Sequence, residues 1–72
     1  MPPKLTWNDA EDLAILLHEL HPNLDPLTVR FTDLHHWICE LPEFGDDAQA
    51  GSEGNLEAVQ MAWLEEFRAA DK

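Results

Sequence analysis

Seventy-two residues make one small domain, 1–72, because so short a chain buries only about 60% of the surface its unfolded form exposes and cannot support a second core. With 15 Asp and Glu against 4 Lys and Arg the formal net charge is −11 and the sequence pI about 4.3, which disfavours direct nucleic-acid binding, where affinity comes from Lys and Arg displacing counterions. The single cysteine, Cys39, excludes an internal disulfide, and no basic leader with an apolar stretch, nor a run of about 18 apolar residues able to span a membrane, is present, so a soluble cytoplasmic monomer is expected.

Met1 to Leu5 carries two prolines and reads as a loose arm. Asn8 with Glu11 three residues on has the pattern of a capping box, and Trp7 before it anchors the start of a first helix. Leu13, Leu16, Leu17 and Leu20 supply its buried stripe, and Pro22 closes it. Asp25 followed by Pro26 is a strong start signal for a short turn of helix, because the carboxylate takes orphan N–H groups while proline is pre-set for helical φ. Thr32 is then the expected cap of a second helix beginning at Asp33, with Leu34, Trp37, Ile38 and Leu41 on one face and Pro42 as its stop.

From Pro42 to Ser52 the chain is acidic and without periodicity, which reads as a mobile connection. Ser52 is placed to cap a last helix, whose seam is Leu56, Val59, Trp63 and Phe67, with Gln60 lying in that seam and Ala69 to Lys72 expected to fray. The fold class is therefore all-α: a small single domain of three main helices and one short turn, with Trp37 and Trp63 in the core and the acids outside.

Four candidate chemistries follow. His35 and Cys39, four apart on one helix flank, offer two soft-metal ligands, but structural zinc needs about four, so a half-buried thiol and a solvated imidazole is the plainer reading. His18 and His21 read as surface residues. Cys39 as a nucleophile would need a base, an orienting group and a substrate pocket, for which so small a domain has little room, and no Gly-rich phosphate loop is present; a non-enzyme is expected. Asp12 and Glu19 line one flank of the first helix beside Glu11, and their oxygens suit hard cations, Fe²⁺ included, or a basic protein surface. The metal candidates are Asp9, Asp12 and Glu19 with Asp46 and Asp47 of the loop; the partner-binding candidates are Glu11, Asp12 and Glu19 with Glu65 and Glu66 of the last helix. A solvated, solubilising face accounts for the same residues without a partner.

Trp7, LDP at 24–26, TVRFTDLH at 28–35, WIC at 37–39, Phe44, Asp46 and Asp47, and then Leu56, Glu57, Ala58, Trp63 and Leu64 together resemble the IscX (YfhJ) family of bacterial iron–sulfur cluster assembly over essentially the whole chain. The resemblance implies a modified winged-helix fold, weak Fe²⁺ binding by acidic surface residues, docking on the cysteine desulfurase IscS in competition with frataxin, and a role as adaptor or regulator and not as catalyst. Three positions depart from the family pattern: Ile15 stands between Glu11 and Glu19 in place of an acid, Gln60 replaces an apolar seam residue, and Ala48 stands where a proline often follows the acidic run. Two other functions compatible with the chain are an iron donor for assembly and an acidic mimic of nucleic acid that inhibits a DNA-binding protein. The winged-helix analogy carries no DNA binding here, since the basic recognition face is missing.

Overall fold

The computed structural model describes residues 4–70, and the ends, Met1 to Pro3 of the expected arm and Asp71 and Lys72 of the expected frayed tail, lie outside the described residues. Three helices, α1 (Ala10–Leu20), α2 (Phe31–Glu40) and α3 (Glu53–Ala70), are joined by two 3₁₀ turns, Pro26–Thr28 and Ala48–Ala50. Among the described residues there is no strand, only one isolated parallel bridge between Leu5 and Phe44. The all-α class holds.

α1 begins one residue later than the capping-box pattern indicates. Thr6 and Asp9 form a reciprocal turn of their own: the Asp9 carboxylate accepts the Thr6 N–H at 2.8 Å, and the Asp9 N–H donates to the Thr6 carbonyl at 3.0 Å. Asp9 is therefore the residue from which the helix departs, with its carboxylate turned back and no side-chain cap, while Asn8 is exposed. The buried stripe is also rotated. Leu13, Ala14 and Leu17 are buried and Leu16 is half-buried, but Leu20 is 61% exposed. Packing against α3 is the dominant helix contact of the molecule, and the fully buried Ala14 takes the place in the stripe that leucine spacing assigns to Leu20.

Asp25 does what its position indicates: its carboxylate accepts the Leu27 N–H at 3.0 Å, its carbonyl accepts the Thr28 N–H and hydroxyl, and Pro26 is fully buried at the first position of the turn. α2 differs from expectation at its start. Thr32 lies inside the helix, and Arg30, in extended backbone, precedes the first residue Phe31 without a side-chain cap. Val29, which is buried, and Arg30 are both extended, and the helix starts directly after this short stretch. Leu34, Ile38 and Leu41 are buried as expected, whereas Trp37 is only half-buried. Leu41 is extended (φ −64°, ψ 128°), the conformation a following proline imposes, and α2 ends there.

α3 opens on a capping box with Asn in the usual Glu place: Ser52 Oγ accepts the Asn55 N–H at 3.3 Å, and Asn55 Oδ1 accepts the Ser52 N–H at 3.2 Å. Leu56, Val59, Trp63 and Leu64 are buried, and Phe67 is half-buried. The Gln60 amide donates to the Pro26 carbonyl at 3.0 Å, which fastens the 3₁₀ turn to α3 and explains a polar residue in the seam. Ala69 and Ala70 are still helical.

The connection from 42 to 52 is tied down, contrary to the reading of an unstructured link. Leu5 N–H donates to the Glu43 carbonyl at 2.8 Å and Gly45 N–H to the Leu5 carbonyl at 2.9 Å, and Phe44 is buried. Thus Leu5, the last residue of the expected loose arm, is an integral part of the fold.

Candidate docking surface

Glu11, Asp12 and Glu19 are all exposed on the side of α1 away from its buried stripe. The first two stand in the opening turn of α1, where negative charge faces the positive end of the helix dipole, and so have a local structural use. Glu19 stands at the opposite end, where the dipole disfavours it, and has no such use. Glu65 and Glu66 are exposed on α3 beyond the seam that α1 covers. Among the described residues the contact between a basic and an acidic side chain is that of the His36 ring with Glu40 at 3.0 Å, one turn apart on the surface of α2. Among the described residues no cation neutralises the acids of α1, and their field projects outward.

The loop acids are employed differently. Asp46 accepts the Trp7 N–H at 3.2 Å through one oxygen and the Asp47 N–H at 2.7 Å through the other. Asp47 accepts the Gln49 N–H at 3.0 Å, capping the second 3₁₀ turn. Together with Asp9, whose carboxylate holds Thr6, three of the five sequence-predicted metal candidates already serve as backbone acceptors. The remaining two, Asp12 and Glu19, are seven residues apart on α1, a rise of about 10 Å. Among the described residues no three His, Cys, Asp or Glu side chains are grouped so as to hold a metal ion. The residue midway between Glu11 and Glu19, where a further carboxylate would shorten that gap, is Ile15. A preformed metal cage does not fit this donor set.

His35 and Cys39 sit at the seam between α2 and the loop. The His35 ring stacks on Trp7 with centroids 5.4 Å apart, and its Nε2 lies 2.6 Å from the Ala48 carbonyl, an arrangement in which Nε2–H donates. Nδ1 is 3.9 Å from Cys39 Sγ. His35 is accordingly a half-buried tie between α2 and the loop, not the solvated imidazole expected from sequence. Burial pushes the half-buried Cys39 thiol above its ordinary pKa of 9.0, which disfavours the thiolate needed of a nucleophile or soft ligand. His21 also departs from simple exposure, since its ring stacks on Trp37 at 4.6 Å and lies 6.3 Å from Trp63. His18 is half-buried, with Nδ1 lacking a partner.

A hollow between α2 and α3, lined by Phe31, Thr32, His35, Glu53 and Leu56, lies against the Trp7–His35 tie and is open to solvent. What the sequence did not reveal is that tie, because it is a ring stack between Trp7 and His35, which lie on different elements far apart in the chain, and leaves no periodic trace.

The family model for iron–sulphur cluster assembly matches residues 5–68, from the Leu5 bridge to the last turns of α3. The chain belongs to this family. It is the family that contains IscX, and the chain has a role in iron–sulfur cluster assembly. It is also similar, at 52% identity over 62 residues covering 86% of this chain and 94% of the relative, to the uncharacterized protein PA3808 of Pseudomonas aeruginosa. The family match takes in α1, α2, both 3₁₀ turns and α3 as far as Arg68, so the acidic face of α1 and the Trp7–His35 tie both lie within it. No helix among the described residues is long and apolar enough to cross a membrane.

Proposed function

We propose that this member of the iron–sulfur cluster assembly family is an accessory protein that docks through the outer face of α1 on a basic surface of the cysteine desulfurase IscS, in competition with frataxin, and thereby tunes cluster assembly. The observation that carries this is the set of exposed acids Glu11, Asp12 and Glu19, not neutralised by any cation of the described chain. Electrostatic complementarity of this kind steers encounter and sets partner choice, and its strength falls with salt. Glu65 and Glu66 extend the negative field along α3. In this reading the protein acts in the cytoplasm as a monomer, adds no catalytic group, and is a winged helix reduced to its helices with the Leu5–Phe44 bridge as the remnant of a wing.

Fe²⁺ enters the proposal as a weakly held ion on Asp12 or Glu19, with water completing its shell, and Mn²⁺ or Mg²⁺ able to compete. Regulation through the desulfurase contact is favoured over iron donation, because a donor needs a site that retains its cargo and the donor set offers no grouping of three ligands among the described residues.

The test is Asp12→Lys combined with Glu19→Lys. Both positions are exposed and clear of the buried stripe, so the fold should survive by circular dichroism. We expect desulfurase binding at low salt to weaken at least tenfold and its salt dependence to flatten. Wild-type affinity in the folded double variant would remove α1 as the docking surface, and capture of a nucleic-acid enzyme in place of the desulfurase would favour a nucleic-acid mimic.

A further inference from the structure

Ile15 is 40% exposed in the middle of α1, with Glu11 and Asp12 one turn before it and Glu19 one turn after, all exposed. Residues three and four apart are neighbours on a helix surface, so an aliphatic side chain stands inside a frame of three carboxylates. It lies off the stripe that meets the other helices, which is Leu13, Ala14 and Leu17. A β-branched side chain is also slightly unfavourable in a helix relative to the long polar residues that usually fill solvent-facing positions. Ile15 belongs neither to the hydrophobic core nor to the half-buried apolar groups packed against it.

We infer that Ile15 is the apolar anchor of the docking face, and that the partner's surface is an apolar recess rimmed by Lys and Arg. The inference rests on the proposed docking of α1 and deepens it by naming the recess. Charge decides the occupant. A second copy of this chain would bring −11 against −11; anionic lipid and nucleic acid would be repelled in the same way. A basic rim alone would leave the aliphatic group facing hydrated ammonium and guanidinium groups with no gain from its burial, whereas a recess removes it from water while the rim pairs with Glu11, Asp12 and Glu19. Ile15 suits such a recess, because its stiff χ1 loses little freedom on immobilisation. Interface energy commonly concentrates in such a central apolar residue surrounded by a polar rim.

The two parts separate by salt. The carboxylate frame weakens as ionic strength rises, whereas apolar burial does not. The variants are Ile15→Gln, which removes the aliphatic group without changing charge, Ile15→Leu, which restores it, and Met61→Gln as a control. Met61 is 50% exposed and flanked by Glu57 and Glu65 on α3, so it imitates the same local pattern on another helix. Affinity for the cysteine desulfurase is measured by calorimetry across a salt series, with folding checked by circular dichroism. The expected result is a loss of roughly tenfold for Ile15→Gln at every salt concentration, with the slope against salt unchanged, recovery in Ile15→Leu, and no effect of Met61→Gln. Wild-type affinity in folded Ile15→Gln, an effect that disappears at high salt, or a loss with Met61→Gln instead would each overturn the anchor while leaving desulfurase docking intact. Absence of wild-type binding at low salt would overturn the docking proposal itself and the anchor with it.

Discussion

The rings of Trp7 and His35 lie stacked, 21° from parallel, and hold two consecutive carbonyls of the acidic loop: Trp7 Nε1–H donates to Asp47 at 2.7 Å and His35 Nε2 meets Ala48 at 2.6 Å. Trp7 is further boxed by Phe44 edge-on at 4.8 Å and by the Asn55 amide, which donates to its carbonyl at 3.4 Å. Trp7, through its ring and its carbonyl, thereby joins the segment before α1, the loop, α2 and the start of α3.

Trp7→Phe should lower stability by about 1 to 3 kcal/mol, from the lost donor to Asp47 and the smaller ring, and Trp7→Ala by about 3 to 5 kcal/mol. Denaturant melts at constant m-value measure this. A loss below about 0.5 kcal/mol for Trp7→Ala would mean the loop is held by other contacts.

Gly51 and Gly54 should respond in opposite directions to alanine. A Cβ on Gly51 would come within 2.6 Å of the Trp7 ring, although its backbone (φ −74°) suits any residue, so the objection is one of space. Gly51→Ala should cost about 1 to 3 kcal/mol. At Gly54 the nearest atom to a Cβ is Ser52 Oγ at 3.7 Å, and the residue is helical, so Gly54→Ala should stabilise by about 0.5 to 1 kcal/mol. Thermal melts of the pair distinguish steric from conformational roles.

Gln60→Met keeps the side-chain volume but removes the donor to Pro26. The Pro26 carbonyl retains the Val29 N–H at 3.2 Å, so it is not left unpaired. The expected loss is about 0.5 to 1.5 kcal/mol, and faster amide exchange at Leu27 and Thr28 in the variant would locate it in the 3₁₀ turn.

Cys39 should be slow to alkylate in the native state, with its pH–rate profile displaced upward relative to the unfolded chain. Because burial raises the folded pKa above the ordinary value of 9.0, the folded state holds the proton that the unfolded state releases first. Its contribution to stability is present below pH 9 and declines as pH rises through the raised folded value. An iodoacetamide profile in the native protein matching that in denaturant would refute the burial.

Local signals are legible in the sequence and distant ones are not. Asp25 with Pro26, Pro42 as a stop, and the spacing of Leu34, Ile38 and Leu41 each act within one turn, and each is realised. The stripe of α1 misleads at Leu20 because leucine count outweighs Ala14, which is small but fully buried. Thr32 has the chemistry of a cap, but the backbone is already helical from Phe31, directly after the extended Val29 and Arg30. For the candidate site, exposure of Glu11, Asp12 and Glu19 follows from the pattern, whereas the use of Asp9, Asp46 and Asp47 as backbone acceptors depends on Thr6, Trp7 and Gln49 and leaves no mark in the charge.

The principal mate of α1 is α3, the last of the three helices. During synthesis the buried stripe of α1 therefore lacks its principal cover until α3 has emerged, and Trp7 waits in the same way for Asp46, Asp47 and Asn55. Neither α1 with α2 nor the loop can settle early as an independent piece. The chain should fold in one cooperative step after leaving the ribosome, so that a ribosome stalled at Gly51 would display a protease-sensitive nascent chain, and completion through α3 would confer resistance on all of it at once.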